Sequence, residues 1–323
     1  MLKILFISRL KFEKRLSHIV KNQLNSLQNA GLKVDYFFIR GKGAKGYFKS
    51  ILPLRKTIRR KEYDIIHAHY LWSAFIAILA NSRPLVVSLM GSDIRIGFIT
   101  KWALKMIYFW GLCDAIIVKS KDILDHSGLK TARIIPNGVD TALFCPGDKK
   151  DALNTLGWDL QKKHIFFAAN PERSVKNFLL LEKAYQNLTQ SENIEIHFLV
   201  HIPNHLVPIY MNASDVVVLT SFWEGSPNVV KEAMACNCPV VSTDVGDVAW
   251  LFGDEPGHFL TDFEPQDLAA KIRLAFNFAE KNNRTHGRER IICLGLDSES
   301  TADKIIRLYE AVLEKNRRPN INC

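Results

Sequence analysis

Short apolar runs alternate with amphipathic segments along this chain, and the alternation predicts strands that are followed by helices. Buried strands are predicted over 3–8, 34–39, 64–70, 84–89, 115–120, 165–169, 196–200, 216–219 and 239–242. Runs of this length that are apolar at nearly every position are typical of parallel strands covered on both faces. Helical periodicity appears over 17–30, 101–112, 227–236 and about 300–316. The pattern therefore predicts an α/β protein.

The length and the composition of the chain point to an ordinary globular protein with two domains. Its 323 residues exceed what one hydrophobic core usually organises. The first apolar segment runs directly into charged residues, which indicates a buried strand and not a signal peptide. No uncharged apolar run approaches the ~20 residues that span a bilayer. The six cysteines have neither disulfide-framework nor zinc-site spacing, so we expect them to be reduced and structural.

Positive charge is concentrated at the start of the chain. Residues 1–61 contain 16 Lys and Arg against two acidic residues, an excess larger than the +10 of the whole chain. Such a block favours an anionic partner, either a phospholipid surface or a lipid-pyrophosphate acceptor. A basic face that only aids solubility is the alternative. We expect no nucleic-acid partner, because the block lacks interleaved stacking aromatics and any recognised module.

The segment from 219 to 243 combines an anion-binding geometry with carboxylates. The apolar run 216–219 predicts a strand, and Ser226 and Pro227 predict the N-cap and the first residue of the next helix. Ligands of open α/β sheets bind where strands end and helices begin. The backbone N–H groups of Asn228 and Val229 would favour a phosphate there.

Two carboxylates flank this predicted phosphate site. Glu224 lies in the loop, and Glu232 shares a helix face with Asn228 through its i,i+4 spacing. Carboxylates repel phosphate but accept strong hydrogen bonds from the hydroxyls of a neutral polyol. A phosphate site beside hydroxyl acceptors describes a sugar nucleotide. The alternative is a pair of ordinary surface carboxylates.

The wider pattern S-x-x-E-G-x-P-x-x-x-x-E-A-M-A, over 221–235, resembles the paired-glutamate motif of retaining glycosyltransferases. It is most similar to glycosyltransferase family 4 (glycosyl transferases group 1), and further blocks of that family follow in order along nearly the whole chain. The resemblance implies the GT-B fold, in which two Rossmann-like domains face each other across a cleft. We expect an acceptor domain over 1–147, a nucleotide-sugar-binding domain over 148–299, and a C-terminal helix at about 300–316 that packs back on the first domain.

The same resemblance implies a reaction. A hexosyl group would pass from a nucleotide sugar, such as a UDP- or GDP-sugar, to a hydroxyl acceptor with retention of configuration and with no metal or other cofactor. The acceptor would be a lipid-linked or glycan intermediate of bacterial surface polysaccharide synthesis. The donor supply implies a cytoplasmic protein, which could lie peripherally on the inner face of the cell membrane. A non-catalytic partner protein that binds sugar nucleotide or membrane is the alternative.

The family motif assigns donor roles to the 224–232 segment. The resemblance implies that Glu232 binds the ribose and that Glu224 holds the sugar together with the backbone N–H groups that follow it. Gly225 and Ser226, together with Asn228 and Val229 at the helix start, complete this set. Neither glutamate is expected to act as a nucleophile, because most retaining enzymes of this fold are thought to use front-face attack.

Two further blocks resemble family segments on the donor side. One supplies an arginine and a lysine to the donor diphosphate; Lys176 matches the lysine, whereas Pro171 stands at the usual arginine position and Arg173 is the nearest substitute. Cations suit this place because a departing diphosphate gains negative charge. The other block, with His201 and Pro203, resembles the segment whose backbone meets the nucleotide base.

The acceptor side is expected in the first domain. Residues 64–69 are similar to the family's D-x-x-H-x-H segment, and strand alternation places His67 and His69 on one face. The resemblance gives the second histidine, His69, a part in handling the acceptor beside the reacting sugar. A structural strand-end histidine is the alternative.

Other acceptor-side positions depart from the family pattern. Gly91 and Asp93 match its His-Gly-x-Asp block, but Met90 replaces the histidine. The family's glycine-rich loop after the first strand has no glycine here, so basic side chains would substitute, with Ser17 and His18 opening the following helix.

Two segments of the first domain leave alternatives open. Residues 41–47, rich in glycine and lysine, predict a flexible loop that either lies at the acceptor mouth or only connects elements. Residues 101–112 predict a helix that is apolar on most faces, which suits either a core helix or one that dips into a membrane surface.

Overall fold

The computed structural model describes residues 1–9, 17–41, 43–91, 98–129, 131–188 and 193–317. The chain forms two compact units. The first comprises Met1–Gly138 with Ser298–Cys323, and the second comprises Val139–Asp297. Asp93 lies outside the described residues, as do residues 10–16 of the loop after the first strand.

The strands form two parallel sheets, one in each unit. In chain order they are β1 Lys3–Arg9, β2 Lys33–Ile39, β3 Ile65–His69, β4 Leu85–Ser88, β5 Ala115–Val118, β6 Arg133–Ile134, β7 Lys163–Phe167, β8 Ile194–Phe198, β9 Val216–Leu219, β10 Val240–Thr243 and β11 His258–Thr261. The first sheet has the order β2-β1-β3-β4-β5-β6, and the second has the order β11-β10-β9-β7-β8. The predicted α/β class with two Rossmann-like units is therefore confirmed.

The helices connect successive strands, as parallel pairing requires. They are α1 His18–Asn29, α2 Gly43–Lys49, α3 Ile51–Arg60, α4 Leu71–Leu79, α5 Phe98–Phe109, α6 Lys121–Ser127, α7 Lys149–Leu156, α8 Phe178–Leu188, α9 Val207–Ala213, α10 Asn228–Ala235, α11 Val248–Phe252, α12 Pro265–Asn282, α13 Gly287–Cys293 and α14 Ser298–Arg317. They leave both faces of each sheet covered. Along β1, for example, Ile4 and Phe6 join one core cluster and Leu5 and Ile7 join another.

The last helix belongs to the first unit. Ile305 and Tyr309 of α14 are buried in the cluster that contains Phe6 of β1, and the Tyr309 hydroxyl lies 2.6 Å from Nδ1 of His67. The unit boundaries fall after Gly138 and before Ser298, whereas the sequence placed them after 147 and 299.

The residues just after the boundary are held by the second unit, which explains the difference. The Val139 N–H donates to the Leu296 carbonyl at 2.8 Å, and the Gly147 N–H donates to the Asn212 side chain at 3.0 Å. Phe144, between them, is buried in a core cluster of the second unit.

The prediction of a flexible loop over 41–47 was wrong. Residues from Gly43 onwards form α2, because tertiary contacts outweigh the low helix propensity of glycine. The Tyr47 ring lies 6.0 Å from the Trp72 ring of α4, and the Ser50 hydroxyl donates to the Gly46 carbonyl at 2.9 Å. Gly46 is required at its position, since a Cβ there would lie 2.7 Å from the Gly41 backbone.

Helix α5 packs on the core through one face, as the first of the two alternatives for this segment requires. Leu104 and Ile107 are buried in the first unit's core, whereas Trp102 and Phe109 are exposed, together with Trp110 just after the helix. In the part of the chain that the structure describes, no helix has both the length and the apolar character that crossing a bilayer requires.

Candidate functional site

In the second unit, two loops that follow neighbouring strands lie side by side. One follows β7 and contains a short 3-10 turn, Ser174–Lys176; the other follows β9 and contains Glu224. The Thr220 hydroxyl lies 2.9 Å from the carbonyl oxygens of both Lys176 and Asn177, and the Phe222 N–H donates to the Val175 carbonyl at 3.0 Å. Because β7 and β9 are adjacent in the sheet, Lys176 and Glu224, which are 48 positions apart in the chain, lie at the same carboxyl-end edge.

An ion pair joins the side chains of these two loops. The Lys176 ammonium lies 2.5 Å from Oε1 of Glu224, and the Ser221 hydroxyl donates to the same oxygen at 2.8 Å. The two charged side chains are only 13% and 19% exposed, so water screens the pair weakly. The structure thus brings together two residues that the sequence assigned to the diphosphate and to the sugar.

Helix α10 begins beside this pair, at Asn228. Its N-cap is Pro227, which offers no side-chain cap, so the prediction of Ser226 as the N-cap was wrong. The reason is a competing contact, because the Ser226 hydroxyl accepts a hydrogen bond from the Lys231 ammonium at 3.1 Å. The first-turn amides of Asn228 and Val229 therefore have no intrahelical acceptor and no side-chain cap. Among the described residues, the buried Asn228 Oδ1 also has no hydrogen-bond partner.

Glu232 lies one turn further along α10 and is half-buried. Burial raises the pKa of its carboxyl from 4.5 to about 7, although the Lys231 charge acts in the opposite direction. Near neutral pH this carboxyl is therefore poised between its acidic and ionised forms. A ligand that donates hydroxyl hydrogen bonds to the ionised form would draw it to that state.

Two residues behind this loop, Lys231 and Asp247, were not predicted from the sequence. The Lys231 side chain is fully buried, and burial lowers its pKa to about 8 while the Asp247 and Glu232 charges oppose that fall. Burial raises the pKa of Asp247, and Lys231 and Ser226 oppose that rise. A signal was present, because Met234 and Ala235, three and four residues after Lys231, share its side of the helix and are apolar.

A glycine turn after β10 supports the same loop from the other side. Gly246 has φ +65°, and a Cβ on it would lie 2.5 Å from the Gly225 carbonyl oxygen and 3.0 Å from that of Glu224. The backbone of the Glu224–Gly225 segment therefore rests directly on the Gly246 backbone. Only glycine allows this approach in this conformation.

The other predicted donor residues lie at the same edge but are exposed. Arg173 is the N-cap of the 3-10 turn, and its carbonyl accepts a hydrogen bond from the Lys176 N–H at 2.8 Å. No hydrogen bond among the described residues engages its guanidinium. His201 and Pro203 follow β8, which ends at Phe198, two residues earlier than predicted. His201 has a positive φ of 55°, which turns the chain sharply there.

In the first unit, His69 is the last residue of β3 and is completely buried. Its ring stacks on His67 at 4.5 Å and meets the Phe6 ring edge-on at 4.7 Å. Burial, with the nearby Lys119 charge, lowers the pKa of His69 to about 3, so the imidazole is neutral at physiological pH. Neither ring nitrogen has a hydrogen-bond partner among the described residues. Buried imidazoles are normally satisfied, so this one requires an explanation.

The remaining acceptor-side residues have separate roles in the structure. Ser17 caps α1, its hydroxyl accepting from the Val20 N–H at 3.3 Å, and His18 is exposed in the first helical turn. Gly91 is buried with φ +97° just after β4.

Comparisons with known proteins assign the family. The Glycosyltransferase Family 4 model matches residues 20–143, and the Glycosyl transferases group 1 model matches residues 158–291. An uncharacterized glycosyltransferase of Methanocaldococcus jannaschii is 30% identical over 246 residues, which cover 70% of this chain and 69% of that protein. The chain belongs to glycosyltransferase family 4. The family recognised in the sequence, and with it a glycosyltransferase enzyme, is confirmed.

Other relatives and solved structures extend the match. The Escherichia coli UDP-Gal:alpha-D-GlcNAc-diphosphoundecaprenol alpha-1,3-galactosyltransferase is 24% identical over 81% of this chain and 79% of its own length. The structure of Anabaena Alr3699/HepE in complex with UDP and glucose aligns with a TM-score of 0.70 and 18% identity, covering 96% of this chain and all of that one. The chain spans 63 to 79% of the length of four such relatives.

Proposed function

We propose that this protein transfers a hexosyl group from a nucleotide sugar to a hydroxyl acceptor, with retention of configuration and without a metal. The acceptor is a lipid-linked or glycan intermediate of surface polysaccharide synthesis. The observation that carries the proposal is the shielded Lys176–Glu224 pair beside the uncapped first turn of α10. It places a cation, a carboxylate and free backbone donors at one sheet edge.

The positive groups suit the diphosphate of the donor. Lys176 and the first-turn amides of α10 offer positive charge to an anion, and the exposed Arg173 guanidinium lies in the same loop. When the bond from the sugar to the diphosphate breaks, the leaving oxygen gains negative charge, which fixed cations stabilise. In this scheme side-chain and backbone charges do what a metal ion does in other transferases.

The two carboxylates suit the neutral parts of the donor. Glu224 is fixed by Lys176 and Ser221 through a single oxygen, which leaves Oε2 for a sugar hydroxyl. Glu232, in its ionised form, would accept hydrogen bonds from the ribose hydroxyls. The exposed segment of His201 and Pro203 is the proposed site of the base. Retention is supported by the likeness of the Glu224–Glu232 segment to the motif of retaining enzymes.

The acceptor side is assigned to the first unit. The two His69 nitrogens, which have no partner among the described residues, would order the acceptor hydroxyl. Supporting roles are carried over from the family pattern to Ser17, His18, Gly91 and Asp93. A diphosphate-linked lipid acceptor is favoured by the basic residues at the start of the chain. The relative that transfers galactose to a diphosphoundecaprenol-linked sugar supports the same class of acceptor.

The exposed surface of α2 and α3 favours contact with an anionic membrane on the cytoplasmic face. Phe48 and Leu52 are 63% and 68% exposed, and the exposed Arg55, Lys56 and Arg59 lie on the same helix as Leu52. Apolar side chains among basic ones suit an anionic bilayer surface. Flotation should recover the protein with phosphatidylglycerol vesicles and not with phosphatidylcholine vesicles. Equal recovery with both would contradict the electrostatic part of this proposal.

The transfer reaction is tested directly with purified protein. UDP-, GDP- and ADP-sugars are each incubated with a lipid-diphosphate monosaccharide in the presence of EDTA, and the lipid product is separated and its anomeric linkage is read by NMR. We expect one donor series to yield an extended lipid whose new linkage keeps the donor configuration. An inverted linkage would refute retention, and turnover that EDTA abolishes would refute metal independence.

A further inference from the structure

Three potential metal ligands meet on one face of the second sheet. His164 lies on β7, and Glu195 and His197 lie on the neighbouring edge strand β8, where His164 is paired with Glu195. One ligand atom from each residue lies within 4.8 Å of the other two. Parallel pairing and two-residue alternation place all three side chains on the same face.

Hydrogen bonds orient the two imidazoles towards each other. His164 is fully buried, and its Nε2 lies 2.9 Å from the Asp159 carbonyl, to which it can only donate. A neutral His164 therefore presents the lone pair of Nδ1, and this atom lies 3.0 Å from Nε2 of His197. Histidine ligands of metals typically donate their other N–H to a carbonyl in this manner. Two nitrogens bound to one tetrahedral zinc at 2.0–2.1 Å would lie roughly 3.3 Å apart.

The third residue and the surrounding side chains complete the geometry. Lys162 lies 3.2 Å from Oε2 of Glu195, which leaves Oε1 of this carboxylate available. The Trp158 ring is stacked on the His197 ring, with centroids 3.3 Å apart and an interplanar angle of 7°. Stacking on Trp158 therefore holds the His197 ring in place without any metal ion.

We propose that His164, Glu195 and His197 bind one zinc ion, with water as the fourth ligand. Two imidazoles and a carboxylate are a donor set that zinc accepts and that magnesium and calcium do not favour. The ion would tie the edge strand β8 to β7 and would stabilise the second unit.

This site is distinct from the proposed transfer reaction. His164 is the second residue of β7, whereas the donor loop follows the last, Phe167. Three residue steps, about 10 Å along the strand, separate His164 from that sheet edge. His197 lies one residue before the end of β8, four residues before His201. Zinc at this place would act on stability and not on glycosyl transfer.

The alternative is a hydrogen bond between the two imidazoles with no metal. The purified protein is stripped with EDTA, dialysed, and titrated with Zn²⁺ and, separately, Mg²⁺ by calorimetry at neutral pH. Its Tm is recorded at each step. Co²⁺ replaces Zn²⁺ for visible spectroscopy, because its absorption reports the coordination geometry. We expect one Zn²⁺ per chain, and a Tm rise of roughly 5 °C or more at 100-fold excess over Kd.

Variants separate this site from adventitious binding. His197→Gln should weaken Zn²⁺ binding by more than about 100-fold, the upper end of what loss of an outer-shell group costs. Glu195→Gln should also weaken it, while His205→Gln, which changes an exposed histidine outside the cluster, should leave it unchanged. Binding that survives in the His197 variant, or no saturable binding by the wild type, would overturn the proposal. Either result would leave the transfer reaction unaffected.

Discussion

Replacement of Glu232 by glutamine should make the protein more stable and should weaken its affinity for the proposed donor. The carboxyl ionises in the unfolded chain near pH 4.5 but in the folded protein only at about pH 7, because burial opposes its charge. A carboxyl whose pKa is higher in the folded protein than in the unfolded chain costs no stability below about pH 4, because it is protonated in both states there. The cost grows between pH 4.5 and 7 and is constant above that range.

The size of the effect follows from the rise of the pKa from 4.5 to about 7. It corresponds to at most about 3 kcal/mol of lost stability at pH 8, and to about 1 kcal/mol at pH 5. Glutamine has nearly the same shape and carries no charge at any pH. The variant should therefore gain about 2–3 kcal/mol over the wild type at pH 8, and little at pH 4.

Urea unfolding followed by circular dichroism at pH 4, 5 and 8 tests this reasoning. Glu182→Gln, which changes an exposed carboxyl on α8, is the matched control and should leave the stability difference between pH 4 and pH 8 as it is in the wild type. A Glu232→Gln variant that is no more stable than the wild type at pH 8 would refute the claim that burial holds this carboxyl at a cost.

The same substitution tests the role of the charge in binding. About a tenth of the Glu232 carboxyls are ionised at pH 6 and about nine tenths at pH 8, so wild-type donor affinity should rise up to about tenfold over this range. In Glu232→Gln the affinity should be weaker and should not depend on pH. A wild-type affinity that is constant between pH 6 and 8 would contradict the assignment of Glu232 to the ribose.

Three further substitutions probe the parts of the site around Glu232. Lys176→Ala should lower kcat at least ~100-fold in a transfer assay, since it removes the charge proposed to stabilise the leaving diphosphate; near-wild-type turnover would contradict that role. Gly246→Ala should lower Tm and weaken nucleotide binding together, because its Cβ would lie 2.5 Å from the Gly225 carbonyl oxygen. An unchanged Tm would show that the loop can shift at no cost. Lys231→Met should destabilise the protein by roughly 3 kcal/mol by leaving the buried Asp247 without its cation, and adding Asp247→Asn should restore part of the loss. Equal stability of the single and double variants in urea unfolding would refute the coupling.

Most strand positions were predictable because burial on both faces leaves a direct trace in the sequence, whereas the partly exposed edge strands β6 and β11 were not predicted. The run Val216–Leu219 corresponds to β9 residue for residue, and the helix that follows begins one residue later than predicted. The family motif then located Glu224 and Glu232 on either side of that helix start. The local sequence pattern was sufficient to place a residue such as Glu224 or Glu232, whose position depends on one strand and the helix that follows it.

Contacts between distant segments were not predictable in this way. The 2.5 Å ion pair between Lys176 and Glu224 depends on β7 and β9 being neighbours, although β8 lies between them in the chain. The proximity of His164 to His197 likewise arises from strand pairing, and each histidine alone looks like an ordinary strand residue. Helix α2 was missed because glycine propensity favours a loop, and only its contacts with α4 reverse that preference.

Nucleotide binding by the purified protein tests the central claim most directly. UDP, GDP, ADP and the corresponding monophosphates are screened by thermal shift in EDTA, first with the wild type and then with Glu232→Ala. A ligand that binds only the folded state raises its apparent stability by RT ln(1 + [L]/Kd). We predict that one diphosphate raises Tm in EDTA, that its monophosphate does so much less, and that the variant loses the response. Equal responses to the monophosphate and the diphosphate, or no response to any nucleotide, would contradict a donor diphosphate site at Lys176 and α10.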